Sequence, residues 1–215
     1  MLKLPVDWTL IQTVLCIGAH CDDIEIGCAG TLIELTSRNP RVGIHWVVLS
    51  GDEGRPDETR KAAAAIRVDG SEPDVTIRDF KGSYFPDQWA AIKDHFEELR
   101  SRISPDLIFT HRRRDRHQDH RIVADLTWNT YRDHLILEYE IPKFEGDLGR
   151  PNLYVPLGAE NADRKVRILM DCFPSQRKRA WFRPELFRGL MAVRGIECNA
   201  VSGYAEAFEA SKLVV

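Results

Sequence analysis

The stretch that decides the fold is Val14-Leu-Cys-Ile-Gly-Ala-His20-Cys21-Asp22-Asp23-Ile-Glu25-Ile-Gly27-Cys28-Ala-Gly30. Its apolar first part predicts a buried strand, and its second part, rich in small residues, has a helical pattern. His20, Asp22 and Asp23 stand between the two parts. Open α/β sheets bind their ligands at the carboxyl ends of the strands, and histidine and aspartate are ligands of zinc and similar metals. The stretch therefore predicts a strand, a helix and half of a metal site at the turn between them.

The composition indicates a globular protein of the soluble class. Of the 215 residues, 43% are hydrophobic and 29% are charged, which is ordinary for one such domain. The net charge of −3 argues against nucleic acid or an anionic membrane as a partner. No apolar run approaches the roughly 20 residues of a membrane span, and the first residues lack the apolar core of a signal peptide. The five cysteines, an odd number, favour reduced thiols, so we expect a cytoplasmic protein.

Strands and helices alternate along the first two thirds of the chain. The apolar runs predict strands at 13–20, 42–49, 74–80, 106–111 and 134–141. This alternation predicts an α/β fold with a mostly parallel, doubly wound sheet. We expect a single domain over residues 1–215, with a core of about 10–142 and a C-terminal elaboration of about 143–215. Right-handed crossovers would bring three loops to one edge of the sheet, around 20–23, 50–57 and 111–120.

A second group of polar residues, His117-Gln118-Asp119-His120, follows the predicted strand at 106–111. Each group has a simpler interpretation, because Asp22 and Asp23 could cap the next helix and the second group could be a solvated loop. Together, at one sheet edge, they supply His20, Asp23 and His120 as metal ligands and leave one position open. Three N or O ligands with one exchangeable position are typical of catalytic zinc.

The two groups together resemble the LmbE-like (PIG-L) family of metal-dependent N-deacetylases. The residues that carry the resemblance are His20-x-Asp22-Asp23-x-Glu25-x-Gly27 and His117-x-Asp119-His120, with Ser50-Gly-Asp-Glu-Gly54, Phe109-Thr-His111 and Tyr204-Ala-Glu206-Ala-Phe208 in support. The resemblance implies a Rossmann-like three-layer sandwich and hydrolysis of an acetamide on an amino sugar. It also implies a zinc (Zn²⁺) cofactor, with another divalent metal such as Fe²⁺ as the alternative.

Carried over to this chain, the family's roles make His20, Asp23 and His120 the metal ligands. Asp22 matches the general base, His117 the oxyanion-stabilising acid, and Asp119 a residue that tunes His117. The chemistry is consistent with these roles, because bound zinc lowers the pKa of water from 15.7 to about 7 and polarises a carbonyl. A protonated His117 would stabilise the oxyanion by ~3 kcal/mol, and a carboxylate at Asp119 would raise the pKa of that imidazole. The leaving amine could receive its proton from His117 or from Asp22.

Several residues depart from the family pattern or have two interpretations. Cys21 stands where the family commonly has proline, either as a small replacement or as a redox-sensitive thiol. Arg60 resembles an arginine of the family that contacts substrate, but the glutamate usual three residues later is Ala63 here.

The remaining candidates for substrate binding are charged residues at two predicted strand ends. Arg116, in the basic run 112–116, is either solvated or attracts an anionic substrate. Glu138 and Glu140 share a strand face and either line the substrate cleft or form ion pairs with nearby arginines.

The sequence thus predicts a zinc-dependent hydrolase that deacetylates an N-acetylated amino sugar or glycoconjugate precursor. Its partner would be a small N-acetylated sugar, anionic if the basic run binds it, and the sequence leaves a homo-oligomer open. One alternative is an amidase that cleaves a larger acyl group or a thiol-sugar conjugate. Another is an inactive sugar- or nucleotide-binding α/β module, although the first turn lacks the Gly-x-Gly-x-x-Gly pattern of a pyrophosphate site.

Overall fold

The computed structural model describes residues 6–51, 55–67 and 69–214. A sheet of seven strands runs through the middle of the molecule, in the order β3-β2-β1-β4-β5-β7-β6. The strands are β1 (Thr13–His20), β2 (Gly43–Ser50), β3 (Asp74–Ile77), β4 (Leu107–His111), β5 (Leu135–Tyr139), β6 (Leu153–Pro156) and β7 (Ala205–Ala210). The helices are α1 (Asp23–Arg38), α2 (Pro56–Ile66), α3 (Trp89–Arg102), α4 (Gln118–Thr130), α5 (Ala159–Cys172) and α6 (Pro184–Glu197). The expected α/β architecture is confirmed.

The first five strands are parallel, as the alternation of strands and helices predicts. β1 pairs with β2 on one side and with β4 on the other, and β3 and β5 extend the sheet outward. β7 is the exception, because it inserts antiparallel between β5 and β6. The segment of about 143–215, expected to be a C-terminal elaboration, therefore contributes two strands to the main sheet.

Helices cover both faces of the sheet and form two apolar cores. One core lies under α1, α2, α5 and α6, and the other under α3 and α4. The strand β1 supplies side chains to both cores in alternation, with Val14 and Cys16 on one face and Leu15 and Ile17 on the other. This two-sided burial explains why β1 is a continuous apolar run, as expected for a parallel strand covered on both faces.

The small residues after the first turn let α1 pack closely against the sheet. A side chain at Gly27 would collide with the ring of Tyr139, and a Cβ at Gly30 would lie 2.6 Å from Leu157 Cδ1. The phenol of Tyr139 donates to the Ile17 carbonyl at 2.7 Å, so β5 and β1 are tied together beneath the helix. Close packing fixes the start of α1, and with it the position of Asp23.

Among the described helices, none is long and apolar enough to cross a membrane.

Candidate metal centre

Two strand-to-helix turns meet at the carboxyl edge of the sheet. β1 ends at His20 and α1 begins at Asp23, while β4 ends at His111 and α4 begins at Gln118. Because β1 and β4 are neighbours in parallel register, the two turns lie side by side. The rings of His20 and His120, 100 positions apart in the sequence, are therefore in contact. These two turns, residues 20–23 and 111–118, form the carboxyl edge.

Two imidazole nitrogens and both oxygens of one carboxylate lie close together. His20 Nδ1 is 3.3 Å from His120 Nε2 and 3.4 Å from Asp23 Oδ2, and His120 Nε2 is 3.5 Å from Asp23 Oδ1. Ligand atoms about 2.0–2.1 Å from a tetrahedral zinc lie about 3.3–3.4 Å from each other. With one ligand atom from each residue, all within 4.8 Å of one another, His20, Asp23 and His120 could hold a metal ion.

The second nitrogen of each imidazole is hydrogen-bonded to a carboxylate. His20 Nε2 lies 3.2 Å from Asp119 Oδ2, and His120 Nδ1 lies 3.0 Å from Asp115 Oδ2. These carboxylates place a proton on the outer nitrogens and leave the lone pairs of His20 Nδ1 and His120 Nε2 facing each other. Metal-ligating histidines are held in this way almost without exception. The pattern supports a metal site independently of the distances between the ligand atoms.

The electrostatics of the cluster also favour a cation. Burial disfavours a charged His20, but the hydrogen bonds to Asp119 and Asp23 outweigh burial and raise the pKa of His20 to about 10. For His120, burial and repulsion by His111 prevail and lower the pKa to about 4. The carboxylates thus hold one positive charge in the cluster, and a metal ion that binds there would displace a proton from His20.

Asp119 has a different role from the one that the resemblance implies. Its carboxylate accepts hydrogen bonds from the backbone N–H groups of Ser83 and Phe85, at 2.5 and 3.2 Å, besides its contact with His20. Only the backbone N–H of Asp119 reaches His117, where it donates to Nδ1 at 3.2 Å. Asp119 therefore orients His20, and it joins the segment at Ser83 to the cluster.

The Asp119 carboxylate raises the pKa of His117, as expected, but this contribution does not decide the net shift. Burial and the charge of His20 lower the pKa of His117, despite the attraction of nearby carboxylates. Because Nδ1 accepts a backbone N–H, the proton of the neutral ring sits on Nε2. His117 is thus a neutral donor whose ring lies 4.5 Å from that of His120 and 5.0 Å from that of His20, centroid to centroid.

Asp22 is buried beside the candidate ligand Asp23 and is the N-cap residue of α1. Its carboxylate makes no capping hydrogen bond to the helix, so capping does not account for this side chain. Asp22 Oδ1 instead accepts a hydrogen bond from Arg55 Nη2 at 2.9 Å. Burial raises the pKa of Asp22, and the charge of Arg55 acts against this rise.

The sequence reasoning assigned no role in the site to Arg55, His111 or Asp115. His111 is fully buried, its Nε2 lies 3.1 Å from Asp23 Oδ2, and its ring stacks on His120 at 3.8 Å. Lys143 Nζ binds Asp115 Oδ2 at 2.9 Å, so the carboxylate behind His120 has a cation of its own. His111 ends its strand at the same edge as His20, and this position in the sequence could have identified it as a residue of the site. The side chains of Arg55 and Asp115 come from loops, where sequence periodicity gives no direction.

The four residues expected to bind substrate point elsewhere in this structure. Arg60 is exposed and donates to the Val75 carbonyl at 3.1 Å, and the exposed Arg116 contacts the Asp147 carboxylate through its backbone N–H. The two glutamates form ion pairs, which is the second interpretation given above: Glu138 with Arg113, and Glu140 with Arg194.

The surroundings of Cys21 favour one of its two interpretations, the small replacement, over the redox-sensitive thiol. Its side chain is fully buried, its thiol contacts the Ser50 carbonyl at 3.6 Å, and burial raises its pKa to about 11. A thiol that stays protonated and inaccessible is not reactive, so Cys21 is a small replacement for the family's proline. In the loop that resembles the family, the positions 52–54 lie outside the described residues.

Comparison with known proteins gives the chain its family. Residues 15–131 match PIG-L, described as GlcNAc-PI de-N-acetylase. The chain belongs to the PIG-L family. The matched residues are more than half of the 215 and include both turns of the carboxyl edge.

Relatives of this PIG-L chain differ in the reactions that they are named for. The uncharacterized deacetylase YaiS of Escherichia coli K12 is 30% identical over 138 residues, 60% of this chain and 74% of YaiS. The N,N′-diacetylchitobiose deacetylase of Pyrococcus horikoshii has a TM-score of 0.67 at 18% identity, over 94% of this chain and 85% of that one. GalB, the 4-carboxy-2-hydroxymuconate hydratase of Pseudomonas putida KT2440, has a TM-score of 0.72 at 17% identity, over 95% and 98%. The shared fold alone does not choose between hydrolysis and hydration.

Proposed function

We propose that the chain is a zinc-dependent N-deacetylase that releases acetate from an N-acetylated amino sugar or a glycoconjugate precursor. The observation that carries the proposal is the arrangement of His20, Asp23 and His120, with ligand atoms 3.3–3.5 Å apart and a carboxylate behind each imidazole. Membership of the PIG-L family and the similarity to a protein named as a deacetylase support this choice of reaction. The carboxyl-edge carboxylate Asp22 and the neutral donor His117 supply what such a hydrolysis needs.

Zinc held by these three residues would supply Lewis acidity toward the amide oxygen and toward water. Asp22 is the general base in this proposal. It adjoins a ligand in the sequence, and only one of its oxygens is bound by Arg55. Burial of the carboxylate keeps its proton affinity above that of an ordinary aspartate, which suits a group that must take a proton from water near neutral pH.

His117 is the oxyanion donor. Attack of water on the amide carbon moves negative charge to the former carbonyl oxygen, and a fixed N–H donor at that point stabilises the transition state by ~3 kcal/mol. The ring of His117 is held by the Asp119 backbone N–H at Nδ1, so Nε2–H is the free donor. A neutral ring fulfils this role, and the protonated ring expected from the sequence is not required.

The proton that Asp22 removes from water is the one that the leaving amine receives. A new C–O bond forms and the C–N bond breaks, so that acetate and the free amine leave the site. Asp22 is the better carrier of this proton, since the lowered pKa of His117 and its bond at Nδ1 disfavour a protonated ring. We therefore propose Asp22, rather than His117, for this step, which the sequence leaves open between the two.

We further propose that the protein is cytoplasmic and that it is active only with a bound metal ion. All five cysteines are buried and none forms a disulfide, which suits a reducing compartment. The nitrogen and oxygen donor set suits zinc, and Fe²⁺ is the alternative ion to test.

The test combines metal analysis with a substrate screen. Purified protein is loaded with zinc, or with Fe²⁺ under anaerobic conditions, and amine release is measured over N-acetylated sugars and nucleotide sugars. We expect a single tightly bound ion per chain and amine release from at least one acetylated sugar. His120→Ala is the matched control, since it should lose the ion and the activity together.

Two outcomes would overturn the proposal. A protein that binds no metal after loading would be an inactive sugar- or nucleotide-binding module. Amine release from larger N-acyl groups, with none from N-acetyl substrates, would make the chain an amidase of a different specificity.

A further inference from the structure

Arg55 is a positive charge buried against the proposed base. It immediately precedes α2, and its Nη2 donates to Asp22 Oδ1 at 2.9 Å. The exposed fractions of the two side chains are only 14% and 8%. An arginine in this position is close to whatever group of a substrate adjoins the amide.

The guanidinium of Arg55 is only partly used. Within the described residues, the bond to Asp22 is the hydrogen bond that Arg55 makes with its side chain, and its buried Nε has no partner. Nε and Nη2 lie on the same edge of the guanidinium, where a carboxylate or a phosphate accepts two parallel hydrogen bonds. A buried N–H without an acceptor is unfavourable, so this edge would be stabilised by an additional acidic oxygen.

Two other arginines show the same edge fully used. Arg194 donates to Glu140 from Nε at 2.9 Å and from Nη2 at 2.6 Å. Arg67 donates to Asp69 from Nε at 3.1 Å and from Nη2 at 2.8 Å. Arg194 and Arg67 each donate from both Nε and Nη2 to one carboxylate. Among the described residues, Arg55 donates from Nη2 only.

Glu58, an acidic residue on the first turn of α2, does not supply the missing acceptor. Its carboxylate accepts hydrogen bonds from the backbone N–H and the hydroxyl of Ser175, at 2.9 and 2.6 Å. Within the described residues, Asp22 is therefore the carboxylate to which Arg55 donates.

We propose that Arg55 binds an anionic group of the substrate, a carboxylate or a phosphate carried near the acetamido group. This inference rests on the proposed function and specifies its substrate class. It also moves substrate recognition away from Arg60, which is bound to the Val75 carbonyl, and from the basic run 112–116.

The inference is tested by comparing charged and neutral substrates in the zinc-loaded protein. The probes are N-acetylglucosamine, N-acetylglucosamine 1-phosphate and N-acetylmuramic acid, which are neutral, phosphorylated and carboxylated. Arg55→Met should raise KM for at least one anionic probe by about tenfold or more and change KM for the neutral sugar little. Arg55→Lys should show a smaller rise in KM than Arg55→Met, because lysine keeps the positive charge but cannot donate two parallel hydrogen bonds to one anion.

Arg60→Met is the matched control, since it removes the same charge five positions away and should leave the ratio of KM values unchanged. If Arg55→Met lowers kcat equally for all three probes with KM unaltered, Arg55 acts only through Asp22 and the inference is wrong. The phosphate and carboxylate probes show which anion the site takes.

Calorimetric titration with the same sugars keeps the test independent of turnover. Should no probe release its amine, the proposed function fails for these sugars, and the titration still decides the inference. Tighter binding of an anionic sugar than of the neutral one, lost in Arg55→Met, supports it. Equal binding of the three sugars, or no effect of the substitution, overturns it.

Discussion

Two of the regions in which the described part of the chain buries charged side chains differ in how those charges are paired. Beneath β7, Lys165 donates to Glu206 and to the Ile26 carbonyl, both at 2.6 Å. The two oxygens of Glu206 also accept the N–H groups of Gly30 and Thr31, at 2.9 and 2.7 Å. Each charge in this region has its partners within the chain.

At the carboxyl edge the charged groups lack some of their partners. Two imidazole nitrogens and the Asp23 carboxylate face one another, and Arg55 donates from Nη2 but not from Nε among the described residues. Glu25, in the first turn of α1, is fully buried with both carboxylate oxygens unpartnered among the described residues, and burial raises its pKa well above the usual value. The fully paired charges stabilise the fold, whereas the incompletely paired ones lie where we propose that a metal ion and a substrate bind.

The largest effect is expected for Asp22→Asn. Turnover should fall by about 10³-fold, or about 4 kcal/mol, because the substitution removes a general base. Zinc content and the midpoint of unfolding should stay close to those of the wild type, because Asp22 neither binds the metal nor makes a capping hydrogen bond to α1. The measurement is amine release at saturating substrate together with metal analysis. Asp94→Asn, on the exposed side of α3, is the control, and loss of zinc from Asp22→Asn would make Asp22 a ligand.

For Lys165→Met we expect a loss of stability without a change in the metal site. Removing the cation leaves Glu206 buried without its countercharge, so the free energy of unfolding should fall by about 3 kcal/mol. Zinc content of the folded protein should be unaffected. Urea unfolding measures the change, and the double variant Lys165→Met/Glu206→Gln should recover part of it. A fully stable Lys165→Met protein would contradict the structural role given to this pair.

Zinc itself should stabilise the fold through the carboxyl edge alone. At 100 times its dissociation constant, zinc that binds only the folded chain adds about 2.7 kcal/mol to the free energy of unfolding. The measurement is urea unfolding with zinc and with a chelator. The increment should vanish in His120→Ala and persist in Lys165→Met. An equal increment in His120→Ala would place the zinc elsewhere.

A smaller effect is expected for Asp115→Asn. The substitution weakens the carboxylate that orients His120, and such residues contribute about tenfold to hundredfold to metal affinity, or about 1.4–2.7 kcal/mol. Competition with a chromogenic chelator measures the affinity. Asp147→Asn is the matched control, because Asp147 shares Lys143 with Asp115 but contacts neither metal-ligating histidine. Equal losses in both variants would assign the effect to Lys143.

Much of the fold follows from local pattern. The predicted strand at 13–20 is β1 residue for residue, and the other strands up to residue 139 lie within a few positions of the expected ones. The position of β7 in the sheet could not be predicted in this way. Its direction and its insertion between β5 and β6 depend on pairing with distant strands, and alternation along the chain carries no information about either.

The candidate site divides in the same way. His20, Asp23 and His120 are recognisable because their residue types, at the ends of neighbouring parallel strands, suit a metal. The hydrogen bonds of Asp119 to Ser83 and Phe85 are not recognisable, because they depend on a loop whose path the sequence does not specify. The same limit applies to Arg55, since nothing in its loop indicates that it, and not Arg60, faces Asp22.

By itself the sequence determined the strand-and-helix alternation, the metal-ligating residue types and the edge at which they meet. Hydrophobic periodicity sets the first, and the parallel arrangement of β1 and β4 sets the last. The tertiary structure alone decided which carboxylate supports which histidine, which arginine lies on the base, and which buried charges are complete. These features depend on contacts of 3–4 Å between side chains from segments far apart in the chain. A small change in the path of a loop makes or breaks a hydrogen bond at that range.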